Sequence, residues 1–301
     1  MTRSEHPSSV PCRTRCRVWL IAAFVGIGVL VWSWFLFRSS DVPTPDSSPP
    51  QYPGKVRALH TRSPQKAKTQ RPVVNLRAKV VASYPHDVQA FTQGLLWHAG
   101  RVYESTGLHG RSSLRQVDLV QGKVLRRVSL QKSLFAEGLA RVGNTLVQLT
   151  WQQHKALVWS LDHFKPLREY TYDGEGWGLC FNGRHLVMSD GSDRLFFRDP
   201  KDFRQLKVVR VQKAGKPLYR LNELECVGNW VFANIWGSFA IAKINASTGK
   251  VIAMIDASGL LTSAQAKGAD VLNGIAWIPE RRHFLLTGKL WPRMFEVIFE
   301  E

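Results

Sequence analysis

A unit that recurs five times between residue 90 and the C-terminus constrains this chain more than any single residue does. It opens as Phe91-Thr92-Gln93-Gly94-Leu95 and returns as Phe135-Ala136-Glu137-Gly138-Leu139. It then recurs as Gly176-Trp177-Gly178-Leu179, Leu221-Asn222-Glu223-Leu224 and Leu272-Asn273-Gly274-Ile275. With Gly94, Gly138, Gly178, Glu223 and Gly274 taken as equivalent, the steps are 44, 40, 45 and 51 residues. That period belongs to propeller blades or to two-helix solenoids.

Strand chemistry separates the two. Each opening is followed by a turn (Gly100-Arg101, Gly143-Asn144, Gly183-Arg184, Gly228-Asn229, Glu280-Arg281) and a second apolar run such as Leu146–Leu149 or Phe284–Leu286. Turns of this kind between β-branched and aromatic runs read as hairpins. The outer halves alternate polar and apolar residues, as in Ser113–Leu119 and Ala240–Ile244, and end in Gly-Lys turns that lead to a further strand. Four antiparallel strands per repeat, five times over, predict an all-β fold, a five-bladed β-propeller. The fifth repeat runs out of chain after its third strand, Met294–Phe299. An unassigned strand upstream, Ala78–Tyr84, is expected to close that last blade and hide its open edge.

Four segments follow. Residues 73–301 form the propeller. Residues 38–72, with seven prolines from Pro43 to Pro72, form a linker without apolar periodicity. Val18–Phe37 is a run of 20 uncharged residues, long enough to span a bilayer core of roughly 30 Å. Its length, and the absence of an Ala-x-Ala site after it, favour an uncleaved transmembrane helix over a signal peptide. Arg3, Arg13, Arg15 and Arg17 precede it and only Arg38 closely follows, which places tail 1–17 in the cytoplasm and the propeller on the extracytoplasmic (periplasmic) side.

The net charge of +18 includes 11 basic and 3 acidic side chains in residues 1–72, and the remainder is spread over the propeller without a basic block. A solvated surface accounts for that, and no nucleic-acid partner is expected. Cys12 and Cys16 fall on the cytoplasmic side. Cys180 and Cys226, in the first strands of neighbouring repeats, are expected as buried free thiols, although spacing cannot say whether their Cα atoms come within disulfide range. The nine His show no ligand spacing, so neither metal nor other cofactor is expected.

In a propeller the start of each first strand meets the end of each second strand at one mouth. The first position carries Gln93, Glu137, Trp177, Asn222 and Asn273. The second carries Ser105-Thr106, Trp151, Asp190-Gly191-Ser192, Trp236 and Lys289. Taken singly, each has a structural alternative: Glu137 and Glu223 as acceptors of backbone amides, the tryptophans as packing between blades, Lys289 as a surface lysine. Taken together, a carboxylate, amides, an ammonium and indoles around one mouth are the ingredients of a small-molecule site.

At these residues the chain resembles a known family. Phe-Thr-Gln-Gly-Leu (91–95), Glu-Ser-Thr-Gly-Leu-His-Gly-Arg-Ser-Ser-Leu-Arg (104–115), Phe-Ala-Glu-Gly-Leu (135–139), Gln-Leu-Thr-Trp (148–151), Gly-Glu-Gly-Trp-Gly-Leu (174–179), Asn-Glu-Leu-Glu (222–225), Ala-Asn-Ile-Trp (233–236), Leu-Asn-Gly-Ile-Ala (272–276) and Thr-Gly-Lys-Leu-Trp-Pro (287–292) look like the plant and bacterial glutaminyl-peptide cyclotransferases. The resemblance covers 75–301 and implies a five-bladed propeller that turns N-terminal glutamine into pyroglutamate, releasing ammonia without a catalytic metal. It assigns proton transfer to Glu137 and the pocket to Phe91, Gln93, Trp151, Trp177, Asn222, Trp236 and Lys289. One departure is Cys226, where the family tends to carry a larger apolar residue.

The chemistry suits those residues. The α-amine of the substrate attacks its own γ-carboxamide, and one carboxylate can take the proton from the amine and return it to the departing nitrogen. Peptides or proteins with N-terminal glutamine are the expected partners, and a monomer the expected state. The rival reading is a non-catalytic peptide-binding propeller, which would keep the aromatic cup but has no need of a lone carboxylate among amides.

Overall fold

The computed structural model describes residues 72–301. The tail 1–17, the span 18–37 and all but the last residue of the linker 38–72 lie outside the described residues. Within these bounds the chain holds strands, turns and no α-helix.

The strands come in groups of four that meander antiparallel from an inner to an outer position. The first group is β2 (Thr92–His98), β3 (Arg101–Thr106), β4 (Ser113–Val117) and β5 (Val124–Ser129), and it follows β1 (Val74–Pro85). The second is β6 (Ala136–Val142), β7 (Thr145–Thr150), β8 (Lys155–Ser160) and β9 (Pro166–Thr171). The third is β10 (Leu179–Phe181), β11 (Leu186–Met188), β12 (Arg194–Arg198) and β13 (Gln205–Arg210). A two-strand hairpin absent from the sequence reading, β14 (Gln212–Lys213) and β15 (Lys216–Pro217), precedes β16 (Leu221–Val227), β17 (Trp230–Ile235), β18 (Ala240–Asn245) and β19 (Val251–Asp256). The chain ends in β20 (Leu272–Ile278), β21 (His283–Gly288) and β22 (Arg293–Glu300).

The last two groups form one eight-stranded sheet in the order β16-β17-β18-β19-β1-β22-β21-β20. The join is β1. From Arg77 to Pro85 it runs antiparallel to β22, as expected of Ala78–Tyr84. It also begins earlier than expected, because Val74–Arg77 pair in parallel with Ala253–Asp256 of β19. An upstream strand therefore covers the open edge of β22, where exposed amides would otherwise invite foreign strands.

The core lies between successive groups. Tyr103 and Leu114 meet Leu139 and Leu146, Leu149 meets Leu179 and Phe203, and Phe197 meets Val231 and Ala242. Phe232 and Ile241 meet Ile275 and Leu286. Leu95 and Val102 pack on Ala276, Leu285 and Met294, so the first and last groups are in contact and the curled sheets nearly close. Alternation puts one face of every strand into these layers.

Glycine sets how closely the inner strands approach one another. A Cβ on Gly138 would sit 2.4 Å from the Leu179 nitrogen, and one on Gly178 would sit 2.0 Å from the Asn222 carbonyl oxygen. Neither side chain fits. The equivalent position in β16 is Glu223, whose carboxylate reaches the backbone amides of Leu95 in β2 (3.2 Å) and Ile275 in β20 (2.8 Å) and is fully buried.

The free-thiol expectation for Cys180 and Cys226 is corrected: the two form a disulfide. Cys180 lies in β10 and Cys226 in β16, inner strands of adjacent groups. Lateral packing of those strands brings their Cα atoms to 5.5 Å across a sequence separation of 46, inside the bonding range.

Candidate active site

Four inner strands carry a β-bulge near their start. Register shifts fall between Thr92 and Gly94, Ala136 and Leu139, Leu221 and Leu224, and Leu272 and Ile275. A bulge sets extra residues on one strand against its partner and re-aims their side chains. The residues inside these bulges are Gln93, Glu137-Gly138, Asn222-Glu223 and Asn273-Gly274, so the polar groups of the mouth are turned inward by the backbone itself.

A cavity of about 420 Å³ opens there, of the size that holds small ligands. Phe91, Gln93, Glu137, Trp151, Trp177, Asn222, Trp236 and Lys289 all line it. The eight positions named from the sequence are thus gathered around one space. Phe135, Asp270 and Val271 join them, and these three the sequence reading missed. Asn273, Ser105, Thr106, Asp190, Gly191 and Ser192, also expected at the mouth, do not line it.

Glu137 is buried, and one of its oxygens accepts from Gln93 Nε2 at 2.8 Å. Gln93 is held in turn: its carbonyl oxygen accepts from Asn273 Nδ2 at 3.1 Å, while the same Nδ2 donates to the Thr92 carbonyl at 3.0 Å. Burial pushes the Glu137 carboxyl well above the usual range. The Lys289 ammonium opposes that rise and the Glu175 carboxylate adds to it. Burial likewise lowers Lys289, with Glu137 and Asp270 acting in the other direction. The Lys289 ammonium lies 4.6 Å from the centre of the Phe91 ring, a cation–π distance. The site therefore holds an acid and a base whose affinities for protons have been moved toward each other.

The walls are aromatic. Phe91 meets Phe135 edge-on at 6.2 Å, Phe135 meets Trp151 at 5.6 Å, and Trp177 meets Trp236 at 6.0 Å. Trp236 is 42% exposed and forms the outer lip, beside the Arg220 guanidinium 5.7 Å from its ring. Asp270 and Val271 arrive from the segment before β20, pinned to the end of β21 by backbone bonds between Asp270 and Lys289 (2.9 Å) and between Lys289 and Val271 (3.0 Å). That segment carries no strand pattern. Phe135, by contrast, stood in a recurring motif and could have been read from it. Among the described residues no group of three or more His, Cys, Asp or Glu is placed to hold a metal ion.

Fold and site together define an all-β protein of curled, nearly closed sheets with a partly apolar pocket built round one buried carboxylate. The chain belongs to the glutamine cyclotransferase family, whose pattern it matches over residues 55–299. It is 40% identical over 228 residues to a glutaminyl-peptide cyclotransferase of Arabidopsis thaliana, covering 73% of this chain and 70% of that protein. It is also 40% identical to the glutaminyl cyclase of Myxococcus xanthus, whose crystal structure superposes with a TM-score of 0.69 over 76% of this chain and 98% of that one.

Proposed function

We propose that this protein is a glutaminyl-peptide cyclotransferase, converting N-terminal glutamine of peptides or proteins to pyroglutamate with release of ammonia. The observation that carries this reading is Glu137: a buried carboxylate with raised proton affinity, bonded by a side-chain amide on one oxygen and facing a cavity lined by Asn222, Lys289 and indoles. A neutral α-amine attacks the γ-carboxamide carbon, and the new N–C bond gives a tetrahedral intermediate. Glu137 takes one proton from the attacking nitrogen and delivers it to the departing NH2, which leaves as ammonia as the old C–N bond breaks. A carboxyl whose proton affinity burial has raised suits both halves of this transfer. Gln93, Asn222 and Lys289, which line the same cavity, are assigned to hold the oxygen that gains charge. The reaction is intramolecular, so its main obstacle is geometry, and Phe91, Trp151, Trp177 and Trp236 provide the walls that fold the side chain back and keep water out. The chemistry needs no cofactor, and turnover is expected to survive exhaustive chelation.

The strand groups read as a five-bladed propeller, with the eight-stranded sheet counted as two blades and β1 supplying the fourth strand of the last. The run Val18–Phe37 reads as a membrane anchor with the propeller on the periplasmic side, and the protein as a monomer. The Cys180–Cys226 disulfide supports that location, because such bridges persist in oxidising compartments. Reporters fused to the C-terminus test the topology: activity of a reporter that works only in the cytoplasm would reverse it.

The experiment for the function is ammonia release from an N-terminal Gln peptide by the purified protein, with the matching N-terminal Asn peptide as control. Release from the Gln peptide alone is expected. Tight binding of the peptide without turnover would favour the non-catalytic peptide-binding propeller.

A further inference from the structure

Glu175 lies in the turn ahead of β10, behind two of the pocket walls. Its Oε2 accepts from both indoles, Trp151 Nε1 at 2.7 Å and Trp177 Nε1 at 2.9 Å, while Oε1 accepts from Gln152 Nε2 at 2.9 Å. Trp151 follows β7 and Trp177 precedes β10, so a single carboxylate spans two strand groups. An indole has one polar hydrogen, and what that hydrogen meets decides how the ring can turn about its side-chain bonds. Both rings here turn against the same oxygen. Burial pushes the Glu175 carboxyl up, but the bonds from Gln152, Trp177 and Trp151 outweigh it and hold the carboxyl below its usual range, so the acceptor stays charged. Bonds to a charged acceptor are the stronger kind.

We propose that Glu175 is a positioning residue of the active site, whose carboxylate ties the Trp151 and Trp177 indoles into one rigid wall and so sets the shape in which a glutamine side chain can fold toward its own amine. The proposal rests on the cyclotransferase reading and acts through the two indoles: Glu175 does not line the cavity, and its charge, which also raises the Glu137 carboxyl, is lost alike in Glu175→Ala and Glu175→Gln. A surface carboxylate that merely capped a turn would leave the indoles and the kinetics unchanged when removed.

The test compares Glu175→Ala and Glu175→Gln in the whole protein, with the dipeptide Gln-Ala as substrate and indole N–H resonances, assigned through Trp151→Phe and Trp177→Phe, as a readout free of activity. In Glu175→Ala both indole resonances should move together, with the other nine tryptophans unchanged. Its kcat/KM should fall about tenfold to hundredfold while the protein remains folded at the assay temperature. Glu175→Gln keeps an acceptor oxygen for the two indoles and should restore most of both. Indole resonances that stay in place in Glu175→Ala overturn the positioning role, whether or not the protein is active. A glutamine variant as impaired as the alanine one overturns hydrogen bonding as its basis. A wild-type protein that cyclises nothing overturns the functional reading instead, and the resonances still decide whether Glu175 fixes the wall.

Discussion

Glu137 in β6 and Glu223 in β16 are both buried in the ring of inner strands, both sit inside a β-bulge, and burial pushes both carboxyls well above the usual range. Their surroundings differ. Each oxygen of Glu223 takes a backbone amide, Leu95 on one side and Ile275 on the other, so its capacity is used in holding three strands together. In Glu137 a side-chain amide engages one oxygen, and the group borders the cavity opposite Lys289. Burial thus produces a structural carboxylate where the partners are backbone, and one available for proton exchange where the partners are one side-chain amide and an open cavity.

The largest stability effect is expected at the structural member of this pair. Glu223→Ala leaves two buried amides without acceptors, at about 1 to 3 kcal/mol each, and denaturant unfolding should show the sum as a lowered midpoint. An unchanged midpoint would break the contrast at its structural end. Next comes the disulfide that braces β16, the strand of Glu223, against β10. Replacing Cys180 and Cys226 by serine should cost about 2 to 4 kcal/mol, read in the same unfolding experiment with the reduced wild type as comparison.

The smallest effect has the opposite sign. A carboxyl whose folded pKa is raised above its unfolded value contributes stability that is fully present below the unfolded pKa and lost as pH rises through the folded one. Glutamine does not titrate. Glu137→Gln should therefore melt higher than the wild type at neutral pH, with the gain shrinking as pH falls toward the unfolded carboxyl value of 4.5. A gain that grew in acid would contradict the raised affinity.

Much of this was legible in the sequence, for reasons particular residues make plain. The glycines at 94, 138 and 178 recur because inner strands touch there, and Gly274 because its φ of +133° favours glycine; that periodicity exposed both the repeat and the mouth positions of Gln93, Glu137, Trp177 and Asn222. Trp151, Trp236 and Lys289 followed from the antiparallel return of each second strand. The bulges were not legible, because simple alternation hides an inserted residue. Asp270 and Val271 reach the pocket through backbone bonds to Lys289 that no pattern announces. Glu175 stood in a quoted motif, yet its role depends on two indole hydrogens meeting one oxygen. The disulfide joins residues in different repeats, and only their lateral packing brings them together.

The most direct measurement is kcat for Glu137→Gln beside Glu223→Gln, each with an N-terminal Gln peptide at a temperature where both are folded. Glutamine at 137 keeps the shape and a hydrogen bond but cannot carry a proton between two nitrogens, so turnover should fall by about 10² or more while Glu223→Gln stays near the wild type per folded molecule. Near-normal kcat in the Glu137 variant, or an equal loss in a fully folded Glu223 variant, would contradict the assignment of the transferred proton to Glu137.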